Sequence, residues 1–547
     1  MKRLIFVLSA IVIAFFCGCG ERVPAANVAA ARGILVMNNG GEPSAIDPQF
    51  AQPGVIENRI MLALFEGLVR YDPKTLVPVP AIAERWEISE DGLHYRFFLR
   101  RNAKFSDGNA ITADDFLFSF QRILSPKLAS PSASMFFAPV KNARAFALGK
   151  IDDFSQVGFK KIDAGTLEIE LAEPCPYFLS LVCHSSWSVV PRQTILKFGA
   201  IDERQTQWTR VGNFVGSGPY KLKNWRVAYR IEVERNEFYW DKNAFPLNGI
   251  RFDAIEDQFA ETRAFDDGQY HITNTVPPSK IPALRASGTP NLRLDDYLST
   301  AFIRVNTKRA PLNDVRVRLA LSLALDRNEL AEKVMRAGEK PANNFVPAGA
   351  YGQFGGNASL LGTTANVERA RELLAEAGFP NGNGFPEITY LYNTSDGAQF
   401  FAQALQEQWR KNLGIRVVLQ QQEYKVYRVN MAQGDYDLAR SAWSGDYLDP
   451  TTFLDLFAGT SHINWTGWQN KNYDALLAQA SRERVPVKRM AILHNAEKLL
   501  MNEMPIIPTI FNKNKFLIRP ELRGWHENLL DIHPYENVSV GNADFLN

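Results

Sequence analysis

The sequence predicts a mixed α/β protein of two or three lobes, and three observations carry that reading. The chain has 547 residues, more than a single hydrophobic core organises. Residues 387–421 read strand, helix, strand, a βαβ unit whose two strands should run parallel with a right-handed crossover. Elsewhere helix-start and helix-stop signals alternate with strand-like segments, and no short repeat imposes a solenoid.

The elements follow in chain order. Lys2 and Arg3 precede an apolar run over residues 4–16. That is the size of a signal-peptide core and too short to span a bilayer as a stable helix. The run ends in Phe16-Cys17-Gly18-Cys19. A small residue just before a cysteine is the pattern of a lipoprotein cleavage site, so Cys19 is the expected lipidated first residue of the mature chain. Bulky Phe16 makes Cys17 the poorer candidate. An ordinary secretory cut nearby is the alternative, and both routes lead out of the cytoplasm. Residues 21–32 are rich in Ala and Val, contain no aromatic residue, and read as a tether rather than a folded element. No later stretch approaches 18 uncharged apolar residues, so the mature chain is not expected to span a membrane.

Residues 34–37 read as a short strand, 58–65 as a helix closing on Gly67, and 95–99 as a strand with alternating faces. Thr112-Ala113-Asp114-Asp115 is a helix start, because Thr112 can cap and the two acids suit the positive end of the helix dipole. Phe116, Phe120 and Ile123 then form the apolar stripe. Asn313-Asp314 caps a helix running through Leu325. Residues 367–377 form another, stopped by Gly378 with Pro380 just beyond. A strand over 387–392, an amphipathic helix over 398–411 and a strand over 415–421 complete the βαβ unit. Helices on a partly parallel sheet suit a lobe that binds ligand in a crevice.

Composition removes several function classes. The 61 basic and 59 acidic residues leave a formal charge of +2 with no basic run, so nucleic acid is not an expected partner. Aromatic residues reach 12%, which fits large cores or a cleft lined by rings. Cleavage leaves only Cys175 and Cys183. An oxidising compartment permits a bridge between them. However, residues 176–182 read as the start of a helix, and eight helical residues span about 12 Å, beyond disulfide reach. The seven histidines are scattered and no HExxH or CxxC spacing occurs, so neither a metal nor a cofactor is indicated. No G-x-S-x-G elbow is present. The stretch 212–218, GNFVGSG, lacks the Lys-Ser/Thr ending of a phosphate loop and runs into Pro219 and a strand, where no helix N-terminus could hold a phosphate. No pair of acids can be singled out for glycoside chemistry. No catalytic residue is nominated, and the chain is not expected to be an enzyme.

The informative segment is residues 440–450, RSAWSGDYLDP, which follows a strand expected over 436–439. A carboxylate beside an indole, where a strand runs out into a loop, suits an ammonium group. The carboxylate accepts charge-assisted hydrogen bonds and the ring offers a face to a cation or an apolar side chain. A surface turn around a buried Trp is the plain alternative.

Longer motifs carry a specific resemblance. They are Leu64-Phe65-Glu66-Gly67, Ala83-Glu84-Arg85-Trp86, Asp91-Gly92, Leu99-Arg100, Ala103-Lys104-Phe105-Ser106-Asp107-Gly108 and Ile111-Thr112-Ala113-Asp114-Asp115. Gly216-Ser217-Gly218-Pro219-Tyr220, Asn313-Asp314-Val315-Arg316 and Tyr392-Asn393-Thr394-Ser395-Asp396 continue the series. Over nearly the whole mature chain, the sequence resembles the peptide-binding cluster of solute-binding proteins of ABC importers, and among them the oligopeptide-binding proteins. Most of these residues are expected to build the fold and touch no ligand.

The resemblance implies a periplasmic-binding-protein type II clam, with two lobes around a hinge and an extra domain. Its division here is a signal peptide over 1–18 and a lipidated tether over 19–33. Domain I follows over 34–65, 199–298 and 513–547, an extra domain II over 66–198, and domain III over 299–512. It also implies an extended peptide held through its backbone like an added strand. Asp446 stands where the family clamps the peptide's α-ammonium. Trp443, with Ala442 and Ser444, would line the peptide on one lobe. Gly54 and Val55 would supply backbone contacts from the other. Tyr297 and Arg440 match cleft-lining positions, and Arg309 matches a basic position that serves short peptides. Two departures matter. Where oligopeptide binders place a basic residue and a histidine for peptide carboxylates, this chain has Met431 and Ala398. A family disulfide is replaced by Ser299 and Ser444. The implied partners are an oligopeptide, the membrane subunits of an ABC importer, and a bacterial membrane reached only through the lipid. The implied setting is the periplasm or cell surface, and a monomer is expected. A specialised cargo, such as a cell-wall peptide, an oligosaccharide or a metal chelate, or a sensing role, is the alternative.

Overall fold

The computed structural model describes residues 24–51, 54–354, 360–394 and 397–541. The expected signal peptide over 1–18, Cys19, and Ser395 and Asp396 of one family motif lie outside the described residues. Three sheets organise the chain. A four-stranded sheet has the order Ile34–Asn38, Gly249–Asp253, Arg230–Arg235, Tyr220–Arg226, with only its first pair parallel. An antiparallel sheet of Ala83–Ile88, His94–Leu99, Thr166–Glu170 and Phe159–Asp163 stands apart from it. A six-stranded sheet runs Lys340–Pro341, Ile506–Leu517, Leu292–Val305, Leu438–Ser444, Ile388–Asn393, Val417–Gln422. Each of the three has its own buried cluster, centred on Leu64 and Tyr220, on Phe97 and Phe116, and on Tyr390 and Trp409 respectively.

Local signals in the sequence explain the main elements. Helix Ala113–Leu124 opens on a capping box: Asp115 accepts from the Thr112 backbone N–H at 2.9 Å and from its hydroxyl at 2.8 Å. Phe116, Phe120 and Ile123 are fully buried beneath the antiparallel sheet, as the stripe predicts. The βαβ unit forms with its strands Ile388–Asn393 and Val417–Gln422 parallel and adjacent. Its helix Ala398–Leu413 stops at Gly414, whose φ of 71° favours glycine. The 212–218 stretch serves packing. A Cβ on Gly216 or Gly218 would come within 2.3 or 2.5 Å of the Leu64 backbone, so only glycine lets this segment lie against helix Val55–Leu64.

Two long strands, Leu292–Val305 and Ile506–Leu517, bridge the outer lobes. They pair from Leu292↔Leu517 to Arg304↔Ile506, with a register irregularity between Asp296 and Thr300. At the near end Phe516 packs into the core of the four-stranded sheet. At the far end the pair forms the middle of the six-stranded sheet.

One expectation needs correction. Residues 25–30, expected within an unstructured tether, form the helix Ala25–Ala30. Ala26 is fully buried, and its N–H donates to the Gly268 carbonyl at 3.0 Å. The small alanines, opposite a glycine at 268 where a Cβ would meet Pro24 at 2.5 Å, allow this close docking. Among the described residues, no helix is long and apolar enough to cross a membrane.

Candidate functional site: a cavity between the extra domain and the six-stranded lobe

Strand Leu438–Ser444 leads to the site. It lies antiparallel to Leu292–Val305, with Ser299↔Ser444, Thr300↔Trp443 and Ala301↔Ala442 in register. On its other side only Leu438 and Ala439 pair, with Tyr390 and Leu391. Residues 442–444 therefore have no strand partner on that edge among the described residues. Ser299 and Ser444 face each other where the resemblance implies a disulfide. Ser444 Oγ donates to Ser299 Oγ at 3.1 Å, and Asn512 Nδ2 donates to Ser299 Oγ at 2.9 Å.

Beyond Ser444 the chain turns into a cavity of about 720 Å³, within the range of roughly 300–1,000 Å³ usual for ligand sites. Trp443, Asp446, Tyr447 and Asp455 line it from the six-stranded lobe. Met135, Glu173, Cys175 and Tyr177 line it from the extra domain. Tyr177 and Tyr447 stack across the seam, with centroids 4.9 Å apart and planes 3° from parallel. Cys175 and Cys183 are both free thiols, separated by helix Phe178–Val182 as the spacing anticipates.

The carboxylates of this loop have contrasting surroundings. Asp449 is buried and fully engaged: Arg489 donates to it at 2.6 and 2.9 Å, and the Thr451 hydroxyl and N–H at 2.8 and 3.1 Å. The Asp446 backbone N–H donates to Thr452 Oγ1 at 3.0 Å, but its carboxylate has no hydrogen bond or ion pair among the described residues. Enclosure by protein with no compensating donor raises the Asp446 carboxyl to about 7. The Trp443 indole N–H is likewise buried without an acceptor.

The other predicted residues are placed as follows. The Tyr297 phenol reaches Ser444, and burial raises it to about 12. Arg440 donates to Asn393 Oδ1 at 2.9 Å. Arg309 is engaged by Asp435 at 3.0 Å and Asp437 at 3.1 Å. None of these three lines the cavity. Gly54 and Val55 open helix Val55–Leu64, and Gly54 borders a separate small recess beside Ser132 and His184. Met431 and Ala398 are buried in apolar clusters. Asp455 and the whole extra-domain wall escaped sequence reasoning. Asp455 follows Asp446 by nine residues with no motif between them, and the wall comes from a segment more than 250 residues earlier.

Residues 77–465 match the family described as bacterial extracellular solute-binding proteins, family 5. The chain belongs to this family. Its similarity extends over nearly the full length of family members. It is 35% identical over 531 residues to the periplasmic oligopeptide-binding protein OppA of Salmonella typhimurium, covering 95% of this chain and 94% of that one. It is 37% identical over 511 residues to the periplasmic murein peptide-binding protein MppA of Escherichia coli, covering 92% and 93%. The solved structure of the Escherichia coli murein tripeptide binding protein superposes with a TM-score of 0.81 at 36% identity, covering 93% of this chain and 98% of that one. Its unliganded open form superposes less well, with a TM-score of 0.76 at 35% identity over the same shares. The fold is thus the family's type II binding-protein architecture, and the chain is a solute-binding protein most like the oligopeptide binders.

Proposed function

We propose that this protein binds short peptides in the cavity beside Trp443 and Asp446 and delivers them to an ABC importer, anchored outside the cytoplasm by a lipid on Cys19. One observation carries the reading. The unpartnered Asp446 carboxylate sits two residues beyond a strand whose edge at 442–444 is open, half-buried in the wall of the cavity between the lobes. A peptide would add its backbone to that edge and pair its α-ammonium with Asp446. The Leu292–Val305 and Ile506–Leu517 ribbon would serve as the hinge on which the lobes close. The relatives named for oligopeptide and murein peptide binding support the cargo class.

Titrating Asp446→Ala with a mixed tripeptide pool tests the clamp. The expected loss is about 3–5 kcal/mol, because an ammonium would be left buried and unpaired. Unchanged affinity would sink the role of Asp446. A specialised cargo is the second reading. It is favoured by Met431 and Ala398, which leave no cation at the expected carboxylate positions. Mass spectrometry of ligand released from the purified protein separates the two, since a spread of ordinary peptides excludes a dedicated cargo. The anchor is tested by Cys19→Ser, which should abolish incorporation of labelled fatty acid.

A further inference from the structure

Helix Ala25–Ala30 ties the chain to the four-stranded lobe ahead of strand Ile34–Asn38. The Ala26 N–H donates to the Gly268 carbonyl at 3.0 Å, and Ala29 packs on the cluster of Val36, Phe265 and Tyr270. After the helix, Asn248 donates twice, from its backbone to the Gly33 carbonyl at 2.8 Å and from its side chain to the Arg32 carbonyl at 3.0 Å. The chain is therefore held from Pro24 onward.

This docking shortens the lead of the anchor. Only residues 20–23 separate Cys19 from Pro24. Covalent geometry limits the span from Cys19 to Pro24 to about 17 Å. With residues 24–33 undocked the lead would run to Ile34, and its limit would be about 50 Å. A compact chain of this length has a radius of gyration of about 24 Å, hence a diameter of about 60 Å. The longer lead lets such a body roll over at a membrane. The shorter one keeps the face around Pro24 next to the lipid.

The composition of that face agrees. Residues 24–31 carry no charged side chain, Val28 is 43% exposed on the outer side of the helix, and exposed Arg32 follows. Exposed Asp266 and Asp267 stand just before Gly268. They offer no attraction to anionic headgroups, so the reach of the lead, not charge, sets the contact.

We propose that the face of the four-stranded lobe around Pro24, Val28 and Asp267 lies against the lipid surface that holds the anchor, and that the docked helix thereby fixes the orientation of the protein on its membrane. This rests on the lipidation of Cys19 proposed above. The six-stranded lobe then stands away from the bilayer.

Energy transfer to headgroup-labelled lipid tests it. The full-length lipidated protein, with Cys175→Ala and Cys183→Ala to remove its own thiols, would carry one dye at Val28→Cys or at Phe400→Cys. Phe400 is 70% exposed on helix Ala398–Leu413 of the six-stranded lobe. On phosphatidylcholine vesicles, transfer from position 28 should exceed that from position 400 by at least about twofold, given the span of the lead against the size of the protein. Inserting about twelve Gly and Ser residues between Val23 and Pro24 leaves the helix docked but lengthens the lead, and should bring the two values together. Equal transfer from both positions without the insertion would overturn this inference and leave the anchor intact. A difference that survives the insertion unchanged would do the same, because the lead would not be what orients the protein. Failure of the protein to bind vesicles any better than Cys19→Ser would overturn both.

Discussion

The extra domain meets the rest of the molecule along two seams, and they are built oppositely. Toward the four-stranded lobe the seam carries buried ion pairs and hydrogen bonds. Arg122 of helix Ala113–Leu124 grips Asp47 with both nitrogens, at 3.0 and 2.6 Å, and holds Gln49 at 2.8 Å. Gln49 in turn donates to the Ser119 carbonyl at 2.8 Å. Glu66 accepts from Tyr239 at 2.6 Å and Trp240 at 2.7 Å, while Arg70 reaches both Glu66 and Glu536. Toward the six-stranded lobe, Tyr71 and Leu76 pack against Leu298 and Leu530 near the ribbon. Farther out lies the cavity with the unpaired Asp446 carboxylate, and the rim carries exposed contacts such as Arg482 to Glu173. The first seam is made to hold. The second leaves the Asp446 carboxylate and the Trp443 indole N–H without partners among the described residues, as a face that receives a ligand would.

The largest expected effect breaks the first seam. Asp47→Ala would leave the buried Arg122 guanidinium without its carboxylate and should cost about 3–5 kcal/mol in stability. A urea melt measures it. A loss below about 1 kcal/mol would mean that this seam is no firmer than a surface ion pair.

An intermediate effect of opposite sign is expected at the second seam. Burial holds the Asp446 carboxyl near 7 in the fold, above its unfolded value of about 3.9. A raised acid contributes its stability below the unfolded value, and that contribution is lost as pH rises through about 7. At pH 8 the ligand-free protein therefore carries a half-buried, unpaired charge at a cost. Asp446→Asn, which mimics the protonated group, should match wild type below about pH 4 and melt about 1–3 °C higher at pH 8. Equal melting at both pH values would show that solvent already satisfies this carboxylate.

The two seams also differ in how much of them the sequence discloses. Helix Ala113–Leu124 was legible because Thr112 and Asp115 cap it locally and Phe116, Phe120 and Ile123 repeat at helical spacing. The βαβ unit was legible for the same reason, since its periodicity lies in neighbouring residues. Asp446 and Trp443 could be singled out because they are close in sequence and sit in a motif. The cavity could not be read, because its walls come from segments near 135–181 and 443–481 that meet only in the folded chain. Nor does local sequence show that Arg309 is occupied by Asp435 and Asp437, which follow it by more than 120 residues. The helix Ala25–Ala30 was missed because its support is tertiary: it stands on Gly268 rather than on any cap of its own.

The smallest expected effect lies at the rim. Arg482 and Glu173 meet at 3.1 Å, but their side chains are 67% and 51% exposed, so water screens the pair. Arg482→Ala should change the stability of the ligand-free protein by no more than about 0.5 kcal/mol. The contact nonetheless joins the extra domain to the six-stranded lobe, so it exists only while the seam is closed. Its free energy biases the closed state and enters the apparent peptide affinity directly. About 0.5 kcal/mol corresponds to a two- to threefold weaker Kd, from faster release. Raising the salt concentration should shrink the difference between wild type and variant, because the interaction is exposed. A stability loss as large as that of Asp47→Ala would show that the rim holds the two lobes as firmly as the first seam, and the contrast between the seams would fail.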